Sequence, residues 1–172
     1  HLAQTLAKRT GEVAILIKSK TASDALVSIN ADLKIPSASV VKAAIACTAA
    51  DLATRGELDL GSTIPKGDLN DTFYCSILHA FDDTDEITLK TLIGLMLIVS
   101  DNPATTAVID AVGMNGVNAW CAANGMADTN LSVGFDDDSL GAPLRANLMT
   151  ANDCLALLKL IDTRPDYAFI KR

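Results

Sequence analysis

The apolar positions along this chain change period once, near residue 35. Before it, Val13, Ile15 and Ile17 alternate with Ala14, Leu16 and Lys18. That pattern predicts a strand buried on both faces for most of its length. Thr21, Ser23 and Asp24 read as a turn, and Val27 and Ile29 continue the alternation into a second strand. Leu2 to Arg9 reads as a short helix ended near Gly11. Beyond residue 35 the period becomes helical. A helix is expected from about Ala38 to Arg55, stopping before Gly56, with Pro36 and Ser37 as its start and Ser37 a candidate N-cap. Asp59 to Phe73 is rich in Gly, Pro, Asp and Asn and reads as loop. Thr88 to Val99 is a strongly apolar helix, and later helices stop at Gly113 and Gly125. Thr150-Ala-Asn-Asp153 fits a capping box in which Asp replaces Glu. Two strands followed by a run of helices predict an α+β domain with a helical lobe against an antiparallel sheet. Two strands alone make a marginal sheet, so further strands are expected.

Composition narrows the picture. The chain has 172 residues, enough for one domain with a sizeable core. It is 49% hydrophobic but only 4% aromatic, so that core must be aliphatic and alanine-rich. Ala43 to Ala53 fits a buried helix whose neighbours approach closely. The net charge of −7 argues against a nucleic-acid partner and against anionic membrane surfaces. The longest apolar run, Leu92 to Val99, is far short of the ~20 residues a membrane span needs. Cys47, Cys75, Cys121 and Cys154 show no C-x-x-C spacing and no neighbouring His pair, which argues against a zinc site. Free thiols are expected over two disulfides. No metal or organic cofactor is expected.

The candidate chemistry lies in two short motifs. Ser39 and Lys42 are three residues apart, nearly one helical turn, so their side chains share a face. A serine hydroxyl needs an adjacent base to act as a nucleophile. A lysine serves only if burial or a neighbouring cation lowers its pKa toward neutrality. By itself the pair also fits a capped helix with a solvated lysine. The second motif, Ser100-Asp101-Asn102, follows the apolar helix and precedes Pro103, which suits the first turn of the next helix. It reads either as a helix cap or as a loop that presents a hydroxyl and a carboxamide to a cleft. His1 is terminal and His79 reads as a helix-end residue, so a Ser-His-Asp triad is not convincing.

S-x-x-K followed by S-D-N resembles the signature of class A β-lactamases and penicillin-binding proteins. The similarity extends along almost the whole chain. Glu12 to Thr21, a turn, and Ala25 to Ala31 look like the family's opening β-hairpin. Ile87 to Thr106 is similar to the helix entering S-D-N and the turn after it. Met149 to Leu158 resembles the helix that closes the family's helical domain. The resemblance implies a β-lactamase/DD-peptidase-like fold. It implies Ser39 as nucleophile, Lys42 as base, Ser100 as proton relay to the leaving nitrogen, Asn102 as substrate-orienting amide and Asp101 as a structural group. The Ser39 N–H would form half of an oxyanion hole. The substrate would be a β-lactam or related amide, and the location secreted or periplasmic.

Two departures qualify this. No Lys-Thr-Gly or close variant follows Asn102, and Lys159 and Lys171 lie in other contexts. The chain therefore reads as the N-terminal part of one serine-hydrolase domain. Residues 1–34 would supply a helix and hairpin to the sheet lobe, and residues 35–172 a mostly helical lobe. A second polypeptide or C-terminal segment would complete the sheet, and the chain alone is expected to be inactive. The loop from Ser132 to Pro143 is short, and no glutamate occurs after Glu86, whereas class A enzymes carry a deacylating glutamate there. Asp136, Asp137 or Asp138 could substitute for it, or all three could be solvated. Deacylation is therefore expected to be slow. A penicillin-binding peptidase, esterase or covalent sensor is one alternative, and an inactive binding module is another.

Overall fold

The computed structural model describes residues 10–21, 23–70, 76–135 and 143–171. The expected helix at Leu2 to Arg9, Cys75 and the aspartates Asp136, Asp137 and Asp138 lie outside the described residues. Three antiparallel strand pairs flank a group of helices. Strand β1 (Ile15–Lys18) pairs with β2 (Ala25–Ile29), with Ile15 opposite Ile29 and a register shift at Ile17/Lys18. Strand β3 (Ile35–Pro36) pairs with β6 (Leu148–Met149), and β4 (Thr63–Pro65) pairs with β5 (Glu86–Thr88).

Helix α1 (Val41–Thr54) is the axis of the core. Val41, Lys42 and every residue from Ala44 to Ala50 are buried, so its apolar surface is not a stripe but nearly the full circumference. Alanine makes that possible, because small side chains let α2 (Leu89–Ile98), α3 (Asn102–Val112), α4 (Met114–Ala123) and α6 (Ala151–Thr163) pack close to it. A four-residue helix, α5 (Pro143–Ala146), leads into β6. Helix α2 buries Leu89, Leu92, Ile93 and Met96, one face at helical spacing, and Thr88 caps it by accepting from the Thr91 N–H. Helix α3 ends at Gly113, whose φ of 75° lies in the left-handed region that favours glycine. At the far end of α1, Asp51 accepts from Trp120 Nε1 and Tyr167 Oη, both at 2.7 Å, and pairs with Arg164 at 2.8 Å. That one carboxylate ties α1 to α4 and to the turn at Pro165–Tyr167.

Several local expectations change. The β1–β2 ribbon is not buried on both faces: Ile17 is 47% exposed and Leu26 69% exposed. Its neighbour among the helices is α6, and the second edge of β1 pairs with nothing among the described residues. Asp59 to Phe73 is not all loop, because β4 lies within it. A three-residue strand ending in Pro65 carries no usable alternation, and proline is tolerated on an edge. Ile35 and Pro36 form a strand rather than a helix start, consistent with the extended bias of the residue before proline. Ser37 has helical dihedrals and no cap bond; its N–H donates to the Asn147 carbonyl at 2.8 Å. Thr150 accepts from the Asp153 N–H, but the Asp153 carboxylate turns to the Thr129 hydroxyl at 2.7 Å instead of closing the box. Cys47, Cys121 and Cys154 are free thiols, and burial pushes the first two up to about 12.

Candidate active site

Ser39 lies in a single 3-10 turn, Ala38–Val40, immediately before α1. Ala38 holds a φ of 45°, an unfavourable left-handed conformation for a residue with a Cβ. Ser39 is exposed, whereas Lys42, one turn on, is only 2% exposed. Locality accounts for this pair: the turn and the first residues of α1 put both side chains on the same side.

Ser100 arrives from the α2–α3 junction. Its φ of 58° is also left-handed, and that backbone lets its carbonyl and its hydroxyl face the same lysine. Lys42 Nζ donates to the Ser100 carbonyl at 2.8 Å, to Ser100 Oγ at 3.0 Å and to Asn102 Oδ1 at 2.7 Å. Ser100 Oγ in turn donates to Ser39 Oγ at 2.9 Å. Ser39 and Lys42 are therefore linked through Ser100, and no direct hydrogen bond joins them. All three ammonium protons have acceptors, as a buried charge requires. Burial pushes the Lys42 pKa from 10.5 down to about 8, and the negative charge of Asp101 pulls it partly back. At pH 7 about a tenth of such a lysine is neutral.

Asp101 is 4% exposed and caps α3 through the Ala104 N–H at 2.9 Å. Its second oxygen accepts from Ser76 Oγ and the Ile77 N–H, both at 2.8 Å. The carboxylate thereby fastens the loop that carries Ser100 and Asn102. Asn102 uses its carbonyl oxygen on Lys42, and among the described residues no acceptor takes its amide N–H. His79 lies exposed in the 3-10 turn Ile77–Ala80. Among the described residues no group of His, Cys, Asp and Glu could hold a metal ion, and no helix is long and apolar enough to cross a membrane.

Two residues at this site were not singled out by sequence reasoning. Phe135, 3% exposed, lays its ring over Lys42 with the centroid 4.7 Å from Nζ. Asn147, 1% exposed, accepts from the Ser132 and Val133 N–H groups through Oδ1 and donates to the Val133 carbonyl. Phe135 is the only aromatic residue between Trp120 and Tyr167, and a lone phenylalanine in an otherwise polar loop is a usable signal. Asn147 carries no comparable signal.

A sequence model of the Beta-lactamase enzyme family matches residues 1–165. No curated protein sequence matches the chain. Among solved structures, a β-lactamase from Sphaerobacter thermophilus is 28% identical, with a TM-score of 0.68 over 78% of this chain and 51% of its own. A β-lactamase from Chitinophaga pinensis reaches a TM-score of 0.85 at 20% identity, covering 98% of this chain and 66% of its own. A D-alanyl-D-alanine carboxypeptidase from Mycobacterium tuberculosis superposes with a TM-score of 0.70 at 22% identity, over 90% of this chain and 57% of its own. The chain thus spans between about half and two thirds of the length of these structures. The α+β arrangement with short antiparallel strands agrees with them, and the family match covers all but the last few residues. The chain belongs to the Beta-lactamase enzyme family.

Proposed function

We propose that the complete protein is a serine hydrolase that opens β-lactams or related amides through an acyl-enzyme on Ser39. The observation that carries the reading is the hydrogen-bond polarity around Lys42. Of its three partners, the Ser100 carbonyl and Asn102 Oδ1 can only accept, whereas Ser100 Oγ can also donate. A neutral Lys42 keeps its two N–H groups on the two permanent acceptors. Its lone pair then faces the Ser100 hydroxyl. Ser100 gives its proton to Lys42 and takes the one on Ser39 Oγ, which attacks the carbonyl carbon. As the C–N bond breaks, Lys42 returns its proton through Ser100, which now hands it to the departing nitrogen instead of to the acylated Ser39 Oγ. Asn102, with its amide N–H uncommitted, orients the substrate amide, and the Ser39 N–H supplies half of the oxyanion hole.

A penicillin-binding peptidase or covalent sensor is the second reading, supported by the carboxylates. Asp101, 4% exposed, spends three of its acceptor sites on Ala104, Ser76 and Ile77 in its own junction, which suits a structural carboxylate better than the base of a deacylating water. Likeness of fold to a D-alanyl-D-alanine carboxypeptidase is compatible with it. Among the described residues one edge of β1 has no partner, and Ile15 and Leu16 of this strand line an apolar groove of about 400 Å³ with Pro36, Val40, Met149 and Leu158. We propose that further strands, from a second polypeptide or a C-terminal segment, pair there, and that the protein works outside the cytoplasm.

A chromogenic β-lactam, followed by intact mass and absorbance, tests these readings together. A burst and a mass adduct on Ser39 that persists for minutes is the expected result, with no adduct on Ser39→Ala. Steady hydrolysis at roughly tens per second, within the ordinary range of enzyme turnover, would refute slow deacylation. Absence of any adduct with a β-lactam or a fluorophosphonate would leave a binding module.

A further inference from the structure

Beside its three acceptors, Lys42 Nζ meets one aromatic ring among the described residues. The Phe135 ring stands 4.7 Å from Nζ and is itself 3% exposed, so it excludes solvent rather than merely bordering the cleft. Its position is enforced. Asn147 holds the N–H groups of Ser132 and Val133 and the Val133 carbonyl, fixing the chain just before Phe135. The Asn147 carbonyl accepts from the Ser37 N–H, two residues before Ser39. One buried amide therefore sets the ring and the serine turn in a common frame.

We propose that Phe135 is a positioning residue that seals Lys42 from water, so that the lysine exchanges its proton only through Ser100. This rests on Lys42 acting as the base. A phenyl ring exerts two opposite effects on an amine beneath it. Displacing water favours the neutral form, and the negative face of the π-system favours the cation. The seal requires the first to dominate. Among the described groups that carry charge, Asp101 is the one that acts on Lys42, and it favours the cation. The neighbours Ser100 and Asn102 are uncharged.

Titration of Lys42 in the intact protein, followed by NMR of 13Cε-labelled lysine and assigned by Lys42→Met, separates the two effects. Phe135→Ala admits water and is expected to raise the midpoint by about one pH unit or more. Phe135→Leu keeps most of the apolar bulk but removes the ring face, and is expected to lower the midpoint by roughly half a unit. A midpoint that falls or does not move in Phe135→Ala overturns the seal. If Phe135→Ala fails to fold, Phe135→Val, which also opens space beside Lys42, takes its place with the same expected rise. Acylation of Ser39 by a chromogenic β-lactam, measured across pH, must follow each midpoint. Opposite shifts of Lys42 with a Ser39 that resists acylation would retain the seal and remove the serine-hydrolase reading.

Discussion

On the proposed mechanism, replacing Ser100 by alanine removes the one group among the described residues that hydrogen-bonds to both Ser39 and Lys42. The 2.9 Å link to Ser39 and the 3.0 Å link to Lys42 disappear together. Lys42 keeps two acceptors, the Ser100 carbonyl and Asn102 Oδ1. Ser39 keeps none among the described residues, and its proton then has no hydrogen-bonded route to the base. General acid–base help is typically worth 10²–10⁴, so acylation should fall by roughly 10²–10³, or about 3–4 kcal/mol of activation free energy. The effect on stability should be much smaller. Ser100 is exposed, the left-handed backbone is no worse for alanine than for serine, and one charge-assisted hydrogen bond is lost. That bond is worth about 1–2 kcal/mol, a melting shift of a few degrees. The assay is the acylation rate of the intact protein by a chromogenic β-lactam in stopped flow, with intact mass confirming the adduct on Ser39 and a thermal melt confirming the fold. A Ser100→Ala protein that acylates within about threefold of the parent would refute the relay. Protons would then pass directly between Ser39 and Lys42.

Because burial lowers the Lys42 pKa to about 8, acylation should rise with pH through that value; a rate independent of pH from 6 to 10 contradicts a lysine base. The same depression means that the unfolded chain binds more protons than the native one between about 8 and 10.5, so this residue's contribution makes the protein more stable as pH rises across that window. Denaturant unfolding of the parent and of Lys42→Met at several pH values checks the sign. Ala38→Gly relieves a φ of 45° and should stabilise by about 0.5–1 kcal/mol after the entropy of the added glycine is subtracted, whereas a lower melting temperature would show that the turn is not strained. Asp51→Ala strips partners from Trp120, Tyr167 and Arg164 at once, and should cost about 3 kcal/mol or more in urea unfolding; a loss below about 1 kcal/mol would remove this carboxylate from the core's support.

What could be read along the chain was whatever a few consecutive residues decide. The Ser39–Lys42 face follows from helical spacing. The helix after Thr88, a cap within Ser100-Asp101-Asn102 as one of two readings, and the stop at Gly113 follow from local backbone chemistry. The α1 core was legible from alanine content. The strand pairs β3–β6 and β4–β5 were not, because two or three residues carry no periodicity and their partners are found only in space. Nor did the motifs by themselves say how they meet. That Ser100 bridges Ser39 and Lys42 depends on two left-handed residues, Ala38 and Ser100, and on a contact between Ser39 and Ser100, 61 positions apart in the chain. Phe135 over Lys42 and Asn147 behind the loop are likewise tertiary. Each owes its place to burial: a lysine withdrawn from water must find three acceptors and an apolar cover, and only the packed helices determine which residues supply them.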